Sequence, residues 1–227
     1  MRRSVVAAGV AAALLTGCAG GTGAKGAGAG GTSVSPSAST SGSPSEAASP
    51  AVATPAVAAS GGALGGTGSV CPLPVTFDVA ARWEPERIKP VEDPDFRSLL
   101  EQGTVTVVCE IDAKPAGQIG FLRVWTGEHT DTMPRQVLEA FVADEESPSS
   151  VVYRDVRAGR AGGVPATEVT YVVTSELMDE SRKARALAVM TPRGAVVLAL
   201  GGLDTREHEE MLPAYELAKT TMTVPGG

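Results

Sequence analysis

Residues 70–227 alternate between segments with strand-like and helix-like spacing of hydrophobic side chains. In residues 104–111, apolar side chains at every second position alternate mainly with threonine and glutamate, which is the pattern of a half-buried strand. Residues 118–125 also alternate, and the turn sequence Lys-Pro-Ala-Gly between the two segments predicts a hairpin. Further strands are predicted at residues 75–79, 151–156, 165–174, 182–190 and 195–200, with a second hairpin turn at 191–194.

Apolar residues at helical spacing predict two helical segments in the middle of the chain. The first is a short helix whose apolar side comprises Phe96, Leu99 and Leu100, within residues 94–102. The second begins at a capping residue, Asp131 or Thr132, and ends near Ala143. Its apolar stripe comprises Met133, Val137, Leu138, Phe141 and Val142.

The C-terminal segment combines a helix-start signal with a helix breaker. Asp204 and Glu207 have the spacing of a capping box. Because Pro213 has no backbone N–H, we expect a short turn that ends at Leu212 and a separate helix that begins near Pro213. The side chains predicted to face the sheet are Met211, Tyr215, Leu217 and Ala218. The whole pattern predicts an α+β domain, a mostly antiparallel sheet flanked by two or three helices.

The first 18 residues have the features of a lipoprotein signal peptide. Arg2 and Arg3 precede an apolar segment, residues 4–15, that is too short to span a bilayer core of about 30 Å. The following Leu-Thr-Gly-Cys resembles the bacterial lipobox, whose cysteine receives a diacylglycerol. The resemblance implies a signal peptide over residues 1–17, and acyl chains on Cys18 that anchor the protein to the outer face of the cell membrane. An ordinary secretory signal with a coincidental cysteine is the alternative.

Residues 19–69 consist almost entirely of small residues, serine, threonine and proline. The segment has two charges and no aromatic residue, so it buries too little apolar area to offset the entropy of ordering. Together with Cys18 it is predicted to be a disordered tether, with a reach of roughly 40 Å. The folded part is then a single domain over residues 70–227, which we expect to be monomeric.

The charge balance excludes one class of function. The chain has a net charge of -7, and residues 70–227 hold 16 basic and 25 acidic residues, so a nucleic-acid partner is not expected. The absence of asparagine and the preference for arginine over lysine are typical of a high-GC bacterial genome.

Cys71 and Cys109 are the two thiols left in the exported domain, and an oxidising compartment favours a disulfide between them. Such a bridge would stabilise the fold by about 3 to 4 kcal/mol in the chain-entropy treatment. Two free buried cysteines are the alternative. No metal site and no cofactor are expected, because two cysteines without further ligands do not match a zinc site.

The other polar candidates are weak. His129 and His208 are predicted to lie on the solvated surface, and no Gly-x-Ser-x-Gly or Walker sequence is present. An acidic turn is predicted to be a solvated hairpin tip, with metal capture as the alternative; it contains Glu176, Asp179 and Glu180. No catalytic residue is assigned. Trp83 and Trp125, each near a strand end, are candidates for a binding surface, with core packing as the alternative.

Several segments together resemble the PsbP/Mog1-type fold of small bacterial lipoproteins, including the LpqN-like group. They are the strand leading to the Trp segment at 77–83, the helix after the second hairpin strand, the stretch 162–171, and the terminal Ala-Tyr-Glu-Leu-Ala helix after Gly-Gly-Leu-Asp. The resemblance covers most of residues 73–222. It implies an α/β sandwich with binding or assembly roles and no shared active site.

These observations predict a lipid-anchored envelope module that binds a protein partner or a small envelope ligand and performs no catalysis. An envelope hydrolase would instead need titratable groups that converge in one cleft. A purely structural spacer would have no concave apolar site.

Overall fold

A computed structural model describes residues 55–128, 131–160, 162–177 and 180–225, apart from the side chains of residues 94 and 95. The predicted signal peptide, Cys18 and the tether up to residue 54 lie outside the described residues. His129 and Asp179 lie outside them as well.

An antiparallel sheet forms the centre of this structure. The described residues contain ten strands, which are β1 (Ser60–Leu64), β2 (Phe77–Ala80), β3 (Glu84–Arg87), β4 (Glu101–Gln102), β5 (Val105–Asp112), β6 (Gly120–Thr126), β7 (Pro148–Ala158), β8 (Val164–Ser175), β9 (Glu180–Thr191) and β10 (Gly194–Gly202). Strands β1 and β2 pair with each other, and the rest form one sheet in the order β3-β5-β6-β10-β9-β8-β7, with β4 paired to β5. The neighbouring strands of this sheet run antiparallel, which confirms the predicted sheet type.

Both predicted hairpins are present and join β5 to β6 and β9 to β10. Left-handed glycines close their turns: Gly117 has φ 91° and Gly194 has φ 117°. At Gly194 a Cβ would also lie 2.1 Å from the carbonyl oxygen of Gly127. The second turn therefore requires glycine for two independent reasons.

Helices cover opposite faces of the sheet. The helices are α1 (Pro94–Arg97), α2 (Pro134–Ala143) and α3 (Thr205–Thr221). Because side chains alternate along a strand, Leu122 and Val124 of β6 join the core under α3, whereas Trp125 joins the core under α2. The predicted apolar residues of the last two helices are buried, except for Met133. The α+β architecture is thus confirmed.

The short helix predicted over residues 94–102 is wrong in its extent. The helix α1 lasts one turn, a 3-10 turn follows at Ser98–Leu100, and β4 then pairs with β5. Phe96 and Leu99, predicted to lie on a packed side, are 57% and 73% exposed. Strand pairing at residues 101–102 and the left-handed turn at Gly103 (φ 58°) outweigh the local helical spacing.

The predicted cap of α2 is also wrong. The N-cap residue is Met133 rather than Asp131 or Thr132, and its side chain is 64% exposed. Pro134 follows as the first helical residue, where its fixed φ favours helix initiation. The Gln136 side chain accepts a hydrogen bond from the Met133 backbone N–H at 2.9 Å, which replaces the predicted cap.

The predicted break at Pro213 does not occur, because α3 is one continuous helix. Asp204 caps it by accepting a hydrogen bond from the Glu207 N–H at 2.8 Å, as predicted. The Glu207 carboxylate, however, accepts from the Ile119 N–H at 3.1 Å instead of completing the capping box. Met211 and Tyr215, on either side of the proline, are fully buried, so packing maintains the helix across the breaker.

The tether predicted to reach residue 69 is shorter at its C-terminal end, because Ser60–Leu64 forms β1 and pairs with β2. The Ala58 N–H also donates to the Pro213 carbonyl of α3 at 2.9 Å. Leu64 is 3% exposed and belongs to the core under α3. Backbone pairing orders this segment although it offers few apolar side chains.

The predicted disulfide between Cys71 and Cys109 is present, with a Cα–Cα distance of 5.9 Å. Both residues are almost fully buried in the core under α3. The bridge connects the segment after β1 to β5, the strand next to the edge strand β3.

We expect the Cys71→Ser/Cys109→Ser double variant to lose about 3 to 4 kcal/mol of unfolding free energy, because the bridge closes a loop with a sequence separation of 38 residues. Urea unfolding of the oxidised protein and of the variant measures the difference. Dithiothreitol should shift the midpoint of the wild-type protein only. Equal midpoints for the oxidised protein and the variant would contradict the prediction.

Candidate functional site

The sheet face that carries α2 is only partly covered by this helix. Within the described chain, α2 contacts mainly β8 and β9, so the neighbouring part of β6 and the end of β10 are left open. On this face β6 presents Phe121, Arg123 and Trp125, which are alternate residues of the strand. The uncovered surface forms an open cleft.

The cleft has a volume of about 350 Å³ and an apolar floor. Strand β6 supplies Phe121 and Trp125, strand β10 supplies Ala199 and Gly201, and the last turns of α2 supply Phe141. At its mouth, Ile119 and Leu203 are more than half exposed, and the Leu203 N–H donates to the Ile119 carbonyl at 3.1 Å. The volume is near the lower limit for small-molecule sites, and an apolar lining with a few polar groups is typical of them.

The structure does not bring the two predicted binding-surface tryptophans together. Trp125 lines the cleft but is only 7% exposed, and its ring packs edge-on against Phe141 at 5.4 Å between centroids. The Trp125 Nε1 is buried without a hydrogen-bond partner in the described part of the chain. Trp83 lies in the other core and is 6% exposed.

Charged side chains lie along the walls of the cleft. Arg123 is paired with Glu110 on the neighbouring strand at 2.6 Å, and its guanidinium lies over the Phe121 ring at 5.0 Å. Arg182 of β9 is half-buried, and no residue of the described ranges forms an ion pair or hydrogen bond with its side chain. This isolated guanidinium is the polar feature that sequence patterning missed.

Tyr171 and Glu145 form the third polar feature of the cleft. The Tyr171 hydroxyl donates to the Glu145 Oε1 at 2.8 Å. Burial raises the pKa of Tyr171, and the negative charge of Glu145 raises it further. The phenol therefore stays protonated at physiological pH, where it can serve as a hydrogen-bond donor.

A second polar cluster lies on the opposite face, between α3 and the sheet. Lys219 bridges the carboxylates of Glu168 and Glu216, at 3.0 and 2.8 Å. Arg185 of β9 pairs with Glu216 at 3.2 Å, and the hydroxyl of the fully buried Tyr215 donates to Glu168 at 2.9 Å. We call these five residues the α3 network; its two cations balance its two carboxylates.

The α3 network could not be recognised as a cluster in the sequence, because Glu168 and Lys219 are 51 residues apart. The one local signal was the pair Glu216 and Lys219, at the three-residue spacing of a helix. Burial and the adjacent carboxylate raise the pKa of Tyr215 well above its ordinary value. Every charge in the network has a partner within it, which is the arrangement expected of a structural contact that holds α3 on the sheet.

The prediction of a solvated His208 is wrong. His208 lies in the first turns of α3 and is only 3% exposed. The side of α3 that carries it packs against β9 and β10. Burial lowers the pKa of His208 to about 4, and the positive charges of Arg185, Lys183 and Arg182 contribute to the same shift. The imidazole is therefore neutral at physiological pH.

The acidic turn is an exposed hairpin tip at Glu176 and Glu180, as predicted. Among the described residues, no group of three or more His, Cys, Asp or Glu side chains could hold a metal ion. Of the helices within the described ranges, none is long and apolar enough to cross a membrane.

We expect Lys219→Met to destabilise the protein by about 3 to 5 kcal/mol, because it leaves the buried carboxylate of Glu168 without a cation and Glu216 with Arg185 alone. Lys183→Met is the matched control: this lysine also pairs with a glutamate, Glu209, but both side chains are about half exposed. We expect Lys183→Met to lower the unfolding free energy by less than about 1 kcal/mol. Chemical denaturation compares the two, and similar costs would show that the α3 network does not act as a buried unit.

We expect acid to destabilise the fold partly through His208. Since its pKa lies near 4 in the folded protein and near 6.5 when unperturbed, only the unfolded chain gains the proton between these values. Stability should therefore fall as pH decreases from about 6.5 to 4, by about 2 to 3 kcal/mol from this residue. Urea unfolding at both pH values, with His208→Leu as reference, isolates the contribution. An equal acid-dependent loss in both proteins would argue against it.

The family comparison agrees with the lipoprotein signal read from the N-terminus. A family model described as "Uncharacterised lipoprotein" matches residues 41–222, which include the strands β1 to β10 and the whole of α3. The comparison with curated proteins finds no match. Because the matched region spans well over half of the sequence, the chain belongs to this family of uncharacterised lipoproteins.

Proposed function

We propose that this lipoprotein is a non-catalytic binding module of the cell envelope, and that it holds a small envelope ligand in the cleft over β6, β9 and β10. The observation that carries the proposal is the cleft itself. It is concave, mostly apolar, and lined by a few polar groups that could orient a ligand. A spacer without a binding role would have no need to leave this part of the core face uncovered.

The titratable groups of the cleft favour binding over catalysis. Tyr171 and Glu145 are hydrogen-bonded to each other, and the raised pKa of Tyr171 makes the phenol a poor general base. The charges of the α3 network are paired with one another on the other face of the sheet.

The proposal places the protein outside the cytoplasm of a high-GC bacterium. Acyl chains on Cys18 anchor it to the outer face of the cell membrane. A tether that ends before β1 connects this anchor to the folded domain, which is monomeric. The family of lipoproteins supports this arrangement. The resemblance to the PsbP/Mog1-type, LpqN-like group belongs to the same proposal, and so does the absence of nucleic-acid partners.

Gly201→Phe tests the cleft. A Cβ at Gly201 would meet no heavy atom within 4 Å, so the phenyl group enters the cleft without displacing the fold. Gly66→Phe is the matched control, because a Cβ there meets only the Thr76 side chain, at 3.9 Å, away from the cleft. Small molecules that co-purify with the lipoprotein from its native membranes are measured by native mass spectrometry.

We expect a bound molecule on the wild-type protein and on Gly66→Phe, and its loss from Gly201→Phe. A molecule retained by Gly201→Phe at wild-type occupancy would place the binding site elsewhere. A wild-type protein that carries only protein partners would assign the module to protein interaction instead of small-ligand binding.

A further inference from the structure

We infer that the ligand of the cleft is a single-chain amphiphile with one anionic group, a carboxylate or a phosphate monoester, which binds to the guanidinium of Arg182. This inference rests on the proposed function, because it assigns the chemistry of the molecule held in the cleft. Three features of the cleft carry it: the charge of its walls, the isolation of Arg182, and the apolar surface at its mouth.

The walls of the cleft carry two arginines, although the protein as a whole is acidic. The charged residues that line it are Arg123, Arg182 and Glu145, whereas the whole chain has a net charge of -7. Arg123 is already neutralised by Glu110 at 2.6 Å. Glu145 accepts the hydroxyl hydrogen of Tyr171 at 2.8 Å. Among the described residues, Arg182 is thus the cleft cation that has no carboxylate partner.

The environment of Arg182 is that of an anion site. Its side chain is half-buried on the cleft wall, and no carboxylate of the described ranges lies within ion-pair distance of it. The removal of a charge from water is costly unless a counter-charge replaces the lost hydration. A guanidinium presents two parallel N–H donors, which match the two oxygens of a carboxylate or phosphate.

The rest of the cleft suits an apolar body. Phe121, Ala199 and Trp125 form the floor, and the exposed side chains of Ile119 and Leu203 continue the apolar surface to the mouth. A fully polar anion would leave this surface in contact with water, whereas an alkyl chain would cover it. The volume of about 350 Å³ is near the lower limit for small-molecule sites, which favours one short chain over two.

Equilibrium dialysis with the intact lipoprotein in nanodiscs tests the inference, with empty nanodiscs as the blank. The probes are octanoate, octyl phosphate and uncharged octanol, which share the chain and differ in the head. We expect saturable binding of the two anions and at least about tenfold weaker binding of octanol, since only the anions form charge-assisted hydrogen bonds with the guanidinium of Arg182. Tighter binding of octyl phosphate than of octanoate would assign a phosphate ester as the natural head group, and the reverse a carboxylate.

Variants of Arg182 locate the anion. Arg182→Gln should weaken octanoate binding by at least about tenfold and leave octanol unchanged, and Arg182→Lys should restore part of the affinity by restoring the charge. Arg135→Gln is the matched control, because Arg135 is half exposed on α2, pairs with Glu139 and does not line the cleft.

Equal affinity for octanoate and octanol, or no effect of Arg182→Gln, would overturn the anionic assignment. In that case Gly201→Phe still decides the proposed function, because a blocked cleft should abolish the binding of charged and uncharged probes alike. The absence of saturable binding by either anion would also overturn the inference, and the co-purification experiment would then test the cleft independently.

Discussion

The unequal lengths of the elements that pack on the sheet determine where this domain has open surface. Strands β8 and β9 have 12 residues each, an extended length of about 40 Å. Helix α3 has 17 residues and spans about 25 Å, and β1 and β2 extend the cover on its face. Helix α2 has 10 residues and spans only about 15 Å. The face under α2 therefore cannot be covered along its whole length, and the cleft lies where the cover ends.

The α3 network accounts for the precise position of helix α3 on the sheet. Apolar contacts alone would tolerate small shifts of α3 along the sheet, whereas Lys219 must reach Glu168 on β8 and Glu216 on its own helix at the same time. Buried ion pairs add little net stability compared with apolar packing, but a misplaced helix would leave charges buried without partners. The network therefore acts mainly on the specificity of packing. The strands β8 and β9 carry residues of the network on one face and residues of the cleft on the other.

Features that depend on neighbouring residues could be predicted from the sequence, and features that depend on distant contacts could not. Strand alternation and turn chemistry are local, so the sheet and both hairpins follow from them. The continuity of α3 through Pro213 depends on burial, and β1 depends on pairing with β2 and on the bond between Ala58 and Pro213. The cleft has no sequence motif, because six elements contribute to it. Trp125 was the one lining residue that patterning identified as a binding candidate, and no pattern in the sequence distinguishes Arg182 from the other arginines.

The position of the first described residues relates the proposed anchor to the cleft. The Ala58 N–H binds the Pro213 carbonyl, and β1 packs with β2 against α3, so the chain enters the domain on the α3 face. The cleft opens on the other face of the sheet, and the eight-stranded sheet separates the two. A ligand can consequently enter or leave without displacing β1 or breaking its bond to α3. The residues that attach the chain to the domain do not line the cleft.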